Sequence, residues 1–359
     1  MFTKLKDFMD SFLDMGVPGY DCVVYYKGEC VARIMNGYSD LENKTPIKGD
    51  ELLNIYSCSK PITCAAALML YEEGKIGLDD KLSKYLPEFE EMYVKTEDGV
   101  RKAENAITIK HLFTMTAGFD YDLFSPELIR LREDTDSKCP TKEAMKYLAK
   151  RPLSFEPGER WQYSLCHDVL AAVVEVASGM KFEEYVKKNI FDVLGMKDST
   201  FLLPTERLDE VSEHYTFDNE KNMPILRSKM PEYRLGSEYA SGGAGCVSTV
   251  NDYIKFLEGM RKGILLKDET IKLMTTSYLE KSELTGYWYT DYGYGLGVRC
   301  HDGDNDNTDY GWGGAAGAYL VIDPEKEITM YYSQHLLNSP NQNIRTGVYP
   351  IVKECIFGR

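Results

Sequence analysis

The 359-residue chain lacks the features that mark several large classes of protein. It has no apolar run of about 18 residues, so we expect no membrane-spanning helix and no membrane partner. It has no C-x-x-C pair, which argues against the common zinc and thioredoxin-like sites. The G-x-S-x-G motif of lipase-type α/β-hydrolases is also absent. The five histidines are scattered without metal-ligand spacing, and we predict neither a metal nor a cofactor.

Positive charge is scarce relative to negative charge. The formal net charge is −15, which argues against a nucleic-acid partner. The nine cysteines are odd in number and irregular in spacing, which fits reduced thiols better than a disulfide framework. Acidic residues interrupt the first 16 positions and no apolar core follows them, so this stretch does not resemble a signal peptide. We therefore predict a cytoplasmic protein; its oligomeric state is left open.

Strand signals occur at both ends of the chain and helical signals occur between them. Apolar residues at helical spacing predict an amphipathic helix over 2–12, and β-branched and aromatic residues flank a hairpin turn at Lys27-Gly28. Two further helices are predicted to end at Gly74 and Gly179. Three strand-like segments, 294–300, 317–324 and 326–334, and a last helix over about 340–356 complete the pattern.

This order predicts an α+β fold, an α/β sandwich with an antiparallel sheet flanked by helices. We expect residues 1–75 plus 240–359 to form the sheet domain and residues 76–239 to form an inserted, mainly helical domain. A ligand cleft would then lie between the two parts of one unit.

The stretch Y-S-C-S-K-P at 56–61 contains a candidate nucleophile. Ser57 and Lys60 are three residues apart, which on a helix places their Cβ atoms roughly 5–6 Å apart on one face. Pro61 fits only in a first helical turn, so the helix is expected to begin beside Ser57. Ser59 is adjacent to Lys60 and points to a different side of the helix.

The spacing alone is a weak signal. Ser178 and Lys181 match the same S-x-x-K pattern across a glycine that ends a helix. A serine at the start of a helix is also a common cap, which is the structural alternative for Ser57.

Longer segments resemble the serine β-lactamase and penicillin-binding protein superfamily, in its class C branch. The segment NIYSCSKPITCAAALMLYEEGKIG resembles the nucleophile region, and FEPGERWQYSLCHDVLAAVVEVASG resembles the second-motif region. The remaining similar segments follow in the same order along nearly the whole chain: ITIKHLFTMTAGF, NIFDVLGMKDSTF, SGGAGCVSTVNDYIKF, YGYGLGV and GWGGAAG. The resemblance implies the sheet domain with a helical insertion described above.

The resemblance also implies acyl-enzyme chemistry on Ser57, with Lys60 and Tyr163 as its catalytic partners. The oxyanion hole would consist of the backbone N–H groups of Ser57 and Ala315. Tyrosine and lysine have reference pKa values near 10 and 10.4, so either side chain needs its environment to become a base at neutral pH. Our hypothesis is Tyr163 as the base and Lys60 as its electrostatic partner; the reverse assignment stays open.

Two motifs depart from the β-lactamase and peptidase pattern. Tyr163-Ser164-Leu165 replaces Tyr-x-Asn, and Trp312-Gly313-Gly314 replaces Lys-Thr-Gly. Both replacements resemble the family VIII carboxylesterases. We assign Leu165, Trp312, Gly313 and Gly314 to substrate binding.

Leu165 and Trp312 remove an amide and a cation from the expected site. The sequence therefore favours a carboxylesterase for neutral, short-acyl esters. Arg299 or another cation could still replace the missing lysine. The alternatives are a β-lactamase, a D-aminopeptidase or DD-peptidase acting on amides, an acyltransferase, and a non-catalytic relative that only binds ligands.

Overall fold

The computed structural model describes residues 1–304 and 306–358. The helices are α1 (Thr3–Asp14), α2 (Ser59–Glu72), α3 (Ile109–Phe113), α4 (Pro126–Asp134), α5 (Thr141–Leu148), α6 (Cys166–Ser178), α7 (Phe182–Val186), α8 (Asp192–Leu194), α9 (Val250–Arg261), α10 (Asp268–Met274) and α11 (Val348–Phe357). None of the helices in these ranges is long and apolar enough to cross a membrane.

The strands are short apart from the first two. They are β1 (Gly19–Tyr26), β2 (Glu29–Asp40), β3 (Thr45–Pro46), β4 (Leu53–Asn54), β5 (Tyr93–Thr96), β6 (Gly99–Lys102), β7 (His214–Asp218), β8 (Met223–Arg227), β9 (Val247–Ser248), β10 (Gly293–Tyr294), β11 (Arg299–Cys300), β12 (Tyr310–Gly313), β13 (Tyr319–Asp323), β14 (Ile328–Ser333) and β15 (Leu336–Leu337).

One antiparallel sheet joins the two ends of the chain. In the described residues its 8 strands run in the order β10-β11-β12-β13-β14-β1-β2-β3. Strand β1 lies beside β14 because the N-terminal hairpin adds to the meander formed by the C-terminal third. The α+β class with an antiparallel sheet and flanking helices is therefore confirmed, whereas the domain boundaries at 75/76 and 239/240 stay a prediction.

The sheet separates two apolar cores. Cys22 and Val24 of β1 face α1 and α11, whereas Val23 belongs to the core on the opposite face, which also contains α2, α6 and α9. This alternation follows from the two-residue period of a strand. The core that contains α2, α6 and α9 is the larger one, and the candidate site lies at its edge.

Several local predictions are confirmed. The predicted helix over 2–12 is α1, and the predicted hairpin is β1–β2 with Lys27 and Gly28 at its turn. Helix α6 ends where Gly179 adopts a φ of +71°, a conformation that glycine reaches without steric cost.

Two local predictions are wrong. The stretch 294–300 is not one strand, because the backbone turns at Gly297, where φ is +86°, and β10 pairs back on β11. The last helix begins at Val348 rather than near 340, because Arg345–Gly347 forms a separate 3-10 turn. The middle of the chain also contains the hairpins β5–β6 and β7–β8, which the sequence did not reveal.

Candidate active site

Ser57 lies on a tight turn between β4 and α2. Residues Tyr56–Cys58 form a 3-10 turn and α2 follows at Ser59, so the helix begins beside Ser57 as predicted from Pro61. Tyr56 has a φ of +48°, which is strained for a residue with a side chain. Its hydroxyl lies 3.1 Å from Nε2 of His214, and this buried contact holds the turn in place.

The structure brings together the three residues that the sequence analysis named as catalytic. The Ser57 hydroxyl is hydrogen-bonded to the Tyr163 hydroxyl. Lys60 Nζ donates to Ser57 Oγ at 3.4 Å and to the Gly243 carbonyl at 2.7 Å. Ser59 instead accepts a hydrogen bond from the backbone N–H of Cys246 within the core. The geometry thus places Ser57, and not Ser59, between an amine and a phenol.

Burial shifts the pKa values of the two partners of Ser57, Lys60 and Tyr163, in opposite directions. Lys60 is 0 % exposed, and the loss of solvation lowers its pKa to about 7, an effect that the nearby Asp168 charge opposes. Burial raises the pKa of Tyr163, and hydrogen bonding by Ser57 and Trp312 offsets this only in part. At neutral pH Tyr163 therefore keeps its proton while Lys60 is near its midpoint. These directions favour Lys60 over Tyr163 as the proton acceptor, the reverse of our hypothesis.

The loop after β12 contacts the Ser57 turn through Gly314. A Cβ atom on Gly314 would lie 2.7 Å from the Ile55 carbonyl oxygen and 3.3 Å from Cys58 Sγ, so a side chain would push the loop away. Ala315 follows directly and lines the same cavity as Ser57. Within the described residues, the Ala315 N–H has no hydrogen-bond acceptor. An oxyanion hole formed by Ser57 and Ala315 stays a prediction, and the backbone approach fits it.

Ser57 opens into a cavity of about 610 Å³. Its lining combines aromatic rings with a few polar groups. Members of the lining include Ser57, Tyr121, Leu123, Phe124, Tyr163, Glu232, Tyr233, Trp288, Tyr289, Trp312, Gly313, Gly314, Ala315, Asn338, Ser339, Gln342 and Arg345. The segments 118–127 and 285–295 both contribute tyrosines to this lining, Tyr121 and Tyr289.

The assigned substrate-binding residues do not all face the cavity. Trp312 lines it, with its ring stacked near Tyr163 at a centroid distance of 6.3 Å, and Gly313 and Gly314 follow on the same strand end. Leu165 is 2 % exposed and packs into the core at the start of α6. It lies outside the described lining of the cavity, so the position of its side chain does not support the predicted role in substrate binding.

Arg345 is a cation of the site that the sequence analysis did not identify. Arg299, the replacement named from sequence, is ion-paired to Asp309 at 2.6 Å and fully buried. Arg345 lines the Ser57 cavity and makes no side-chain hydrogen bond or ion pair with the described residues, and its Nε is buried. No local pattern around residue 345 marks it, because only the fold brings this turn to the cavity.

Comparison with known proteins gives concordant results. The β-lactamase family model matches residues 4–346. Esterase EstB of Burkholderia gladioli is 31% identical over 272 residues, which cover 70% of this chain and 68% of EstB. Penicillin-binding protein 4* of Bacillus subtilis is 28% identical over 335 residues, 90% of this chain and 69% of that protein. The solved structure of EstCE1, a hydrolase with promiscuous acyltransferase activity, has a TM-score of 0.82 at 26% identity and covers 97% of both chains.

Proposed function

The chain belongs to the β-lactamase family, and from this membership we propose that it is a serine hydrolase that forms an acyl-enzyme on Ser57. One observation carries the proposal: the Ser57 hydroxyl contacts both the Tyr163 hydroxyl and the Lys60 amine beside a large cavity. A serine hydroxyl becomes a useful nucleophile when a neighbour removes its proton. Its most suitable substrates are neutral, short-acyl esters, which makes the protein a carboxylesterase.

The chemistry follows from the positions of these groups. Ser57 Oγ bonds to the ester carbonyl carbon while its proton passes to neutral Lys60, with the Tyr163 hydroxyl hydrogen-bonded to the reacting oxygen. The N–H groups of Ser57 and Ala315 would stabilise the oxyanion. The bond to the leaving alcohol then breaks, and the alcohol oxygen takes the proton from Lys60. Water repeats the sequence, so that the carboxylic acid leaves and Ser57 regains its proton.

The preference for esters rests on Trp312 and on the relatives. Trp312 offers apolar area and one N–H donor where peptidases of the superfamily carry a cation. Esterase EstB, at 31% identity, bears the name of an ester-cleaving enzyme. An ester also has a better leaving group than an amide, so it places a smaller demand on leaving-group protonation.

A substrate panel tests this proposal. We expect 4-nitrophenyl acetate and 4-nitrophenyl butyrate to be hydrolysed, a chromogenic cephalosporin to be hydrolysed far more slowly, and a fluorophosphonate to label Ser57. Faster turnover of the cephalosporin than of both esters would contradict the esterase assignment. Failure of every substrate and of the fluorophosphonate would favour a non-catalytic ligand-binding protein.

The pH dependence tests the role of Lys60. A base must be unprotonated to accept the Ser57 proton, and burial lowers the pKa of Lys60 to about 7. As the pH falls through about 7, Lys60 gains a proton, and kcat/KM is therefore expected to fall on the acidic side. If Lys60 acted instead as a charged partner of a Tyr163 base, kcat/KM would fall as the pH rises through the same region.

Arg345 supports a second candidate, hydrolysis of substrates that carry a carboxylate. Its guanidinium lines the cavity without an internal ion-pair partner in the described residues, and guanidinium groups bind carboxylates in a bidentate manner. Peptide and β-lactam substrates of the superfamily alternatives carry such a group. Comparison of 4-nitrophenyl butyrate with 4-nitrophenyl hydrogen succinate separates the candidates, because a lower KM for the succinate would favour the anionic class.

We also propose that the protein works in a reducing compartment, as a cytoplasmic enzyme does. All nine cysteines are unpaired, and seven of them are buried. Alkylation without reductant tests this on protein taken directly from cells, in the native and in the unfolded state. We expect nine reactive thiols after unfolding. A disulfide in that protein would contradict the proposal.

A further inference from the structure

Asp168 is a buried carboxylate beside the site that the chemistry above does not use. It lies in the first turn of α6 and is 1 % exposed. Its Oδ1 accepts hydrogen bonds from Ser241 at 2.6 Å and from Tyr239 at 3.0 Å. Its Oδ2 is buried and makes no hydrogen bond of normal geometry with the described residues, although the nearby Gly243 backbone N–H favours the ionised carboxylate. Such an atom costs free energy unless a nearby charge compensates for it.

Asp168 Oδ2 and Lys60 Nζ both lie close to Gly243. A Cβ atom on Gly243 would lie 2.5 Å from Asp168 Oδ2 and 3.4 Å from Lys60 Nζ. The Tyr121 hydroxyl lies 3.1 Å from the same point. Because Gly243 has no side chain, the carboxylate and the amine both border the space that a Cβ atom would occupy. Lys60 also donates to the Gly243 carbonyl, so this residue links the two groups.

Lys60 has no carboxylate within ion-pair distance in the described residues. Asp168 is nevertheless the strongest favourable charge acting on the Lys60 ammonium, and Lys60 in turn favours the ionised form of Asp168. Two opposite charges separated by a few ångströms in a buried site attract each other far more strongly than in water. The pair is therefore coupled without direct contact.

We propose that Asp168 is a positioning residue that holds the Lys60 amine against Ser57 and Gly243 and strengthens its hold on a proton. The inference rests on the proposed function, since it assigns Lys60 as the base. Burial lowers the pKa of Lys60, and the Asp168 charge counteracts this effect. Ser241 and Tyr239 fix the carboxylate, so its direction does not depend on substrate.

Other titratable groups also face Lys60. Burial raises the pKa values of the tyrosines and thiols among them, so they stay neutral near pH 7. Burial also raises the pKa of Asp168, but hydrogen bonds from Ser241 and Tyr239 and the Lys60 charge oppose this shift and favour its ionised form. The groups are Tyr163 and Tyr121 from the loops, Cys58 and Cys64 from the Ser57 turn and α2, and Cys166, His167 and Asp168 from α6.

The direct test is the titration of Lys60 in the full-length protein. NMR of protein labelled with ¹⁵Nζ-lysine follows this group, and Lys60→Met assigns its signal. Removal of the negative charge in Asp168→Asn is expected to lower the midpoint of Lys60 by about one pH unit or more, as for an opposite charge at this range. An unchanged midpoint would overturn the proposal. This readout needs no substrate, so failure of the ester assay would count against the esterase proposal alone.

Kinetics give a second readout that a purely structural role would not move. Asp168→Asn is expected to shift the acidic limb of the kcat/KM profile to lower pH and to lower kcat at the plateau, with KM nearly unchanged because Asp168 lies outside the cavity lining. A uniform loss of kcat/KM with no displaced limb would contradict the proposal.

Glu175→Gln is the matched control for the charge change. Glu175 is a partly buried carboxylate on the same helix that accepts a hydrogen bond from the Phe182 N–H at 3.1 Å, away from the site. The change is expected to leave the Lys60 midpoint in place. An equal shift in this control would overturn the assignment to Asp168.

Gly243→Ala tests the same electrostatic coupling through the residue that borders both groups. Asn at position 168 retains an acceptor for Ser241 and Tyr239, so Asp168→Asn is expected to fold. If Asp168→Asn does not fold, Gly243→Ala provides the test. Its methyl group would separate Asp168 from Lys60 and is expected to lower the titration midpoint of Lys60, as Asp168→Asn does. A folded Gly243→Ala protein with an unchanged midpoint would count against the proposal.

Discussion

The cavity has two walls with different physical properties. The helix wall, which we define as Ser57 at the cavity surface with Lys60 and Asp168 packed behind it, is largely buried: Lys60 is 0 % exposed and Asp168 is 1 % exposed. The aromatic wall lies on loops and includes Trp288 at 51 % and Phe124 at 64 % exposure. One wall holds polar groups out of water, and the other presents apolar rings to water. We infer that the helix wall carries the chemistry and the aromatic wall selects the substrate.

The difference in burial sets the scale of the expected effects. Electrostatic interactions are strong in the helix wall because little water screens them. Contacts with exposed rings contribute chiefly through apolar area and amount to a few kcal/mol at most. Substitutions in the helix wall should therefore change kcat by orders of magnitude, whereas substitutions in the aromatic wall should change KM by smaller factors.

The largest effect is expected for the nucleophile. Ser57→Ala should reduce kcat/KM for 4-nitrophenyl butyrate by roughly 10⁴-fold or more, the scale seen for loss of a catalytic serine. Ser178→Ala is the control, because Ser178 matches the same S-x-x-K pattern but lies at the end of α6. Comparable activity in the two variants would show that the helix wall is not the catalytic one.

Loss of the Tyr163 hydroxyl is expected to have the next largest effect. Tyr163→Phe removes the hydrogen bond to Ser57 and should lower kcat by roughly 10²- to 10⁴-fold, the usual range for a group that assists proton transfer. Tyr185→Phe, a buried tyrosine of α7, should leave kcat unchanged. Near wild-type acylation by Tyr163→Phe would remove this residue from the mechanism.

Arg345 lines the same cavity and should affect only charged substrates. Arg345→Gln is expected to raise KM for 4-nitrophenyl hydrogen succinate by about 10- to 100-fold, as for loss of a charged hydrogen bond, and to leave 4-nitrophenyl butyrate unaffected. Lys353→Gln serves as a control, because Lys353 lies on α11 outside the Ser57 cavity. Equal KM changes for both substrates would contradict a carboxylate contact.

The smallest effect is expected in the aromatic wall. Trp288 packs edge-on against Tyr163 at 5.2 Å and lines the cavity mouth. Trp288→Ala should raise KM for longer acyl chains by about 2- to 10-fold, which corresponds to the energy of one aromatic contact. Tyr93→Ala, an exposed tyrosine of β5, provides the comparison. A large fall in kcat without a change in KM would place Trp288 with the chemistry instead.

The sequence predicts the parts of the molecule whose cause is local. Helix α1 follows from its apolar spacing, the β1–β2 hairpin from its turn residues, and the end of α6 from Gly179. The proximity of Ser57 and Lys60 follows from helix geometry in the same way. The approach of Tyr163, by contrast, was expected only from the resemblance to a family, since nothing local connects residue 163 to residue 57.

Features that arise from tertiary packing were not predictable. Tyr56 has a positive φ, and its hydroxyl contacts His214, which is far away in the chain. Arg345 reaches the cavity because the turn before α11 packs beside it. The sequence does contain an indication of Asp168, because it is a carboxylate within the apolar stretch CHDVLAAVV. A charged residue in such a stretch is expected to be buried and is therefore a candidate functional residue.

The most direct test of the account is mass spectrometry of the protein quenched in acid during turnover of 4-nitrophenyl butyrate. We expect a butyryl adduct on the peptide that contains Ser57, and no adduct in Ser57→Ala. Two results obtained during steady ester hydrolysis would contradict acyl-enzyme formation on Ser57. One is a butyryl group on another residue, and the other is the absence of any adduct with a quench that is fast enough to trap one.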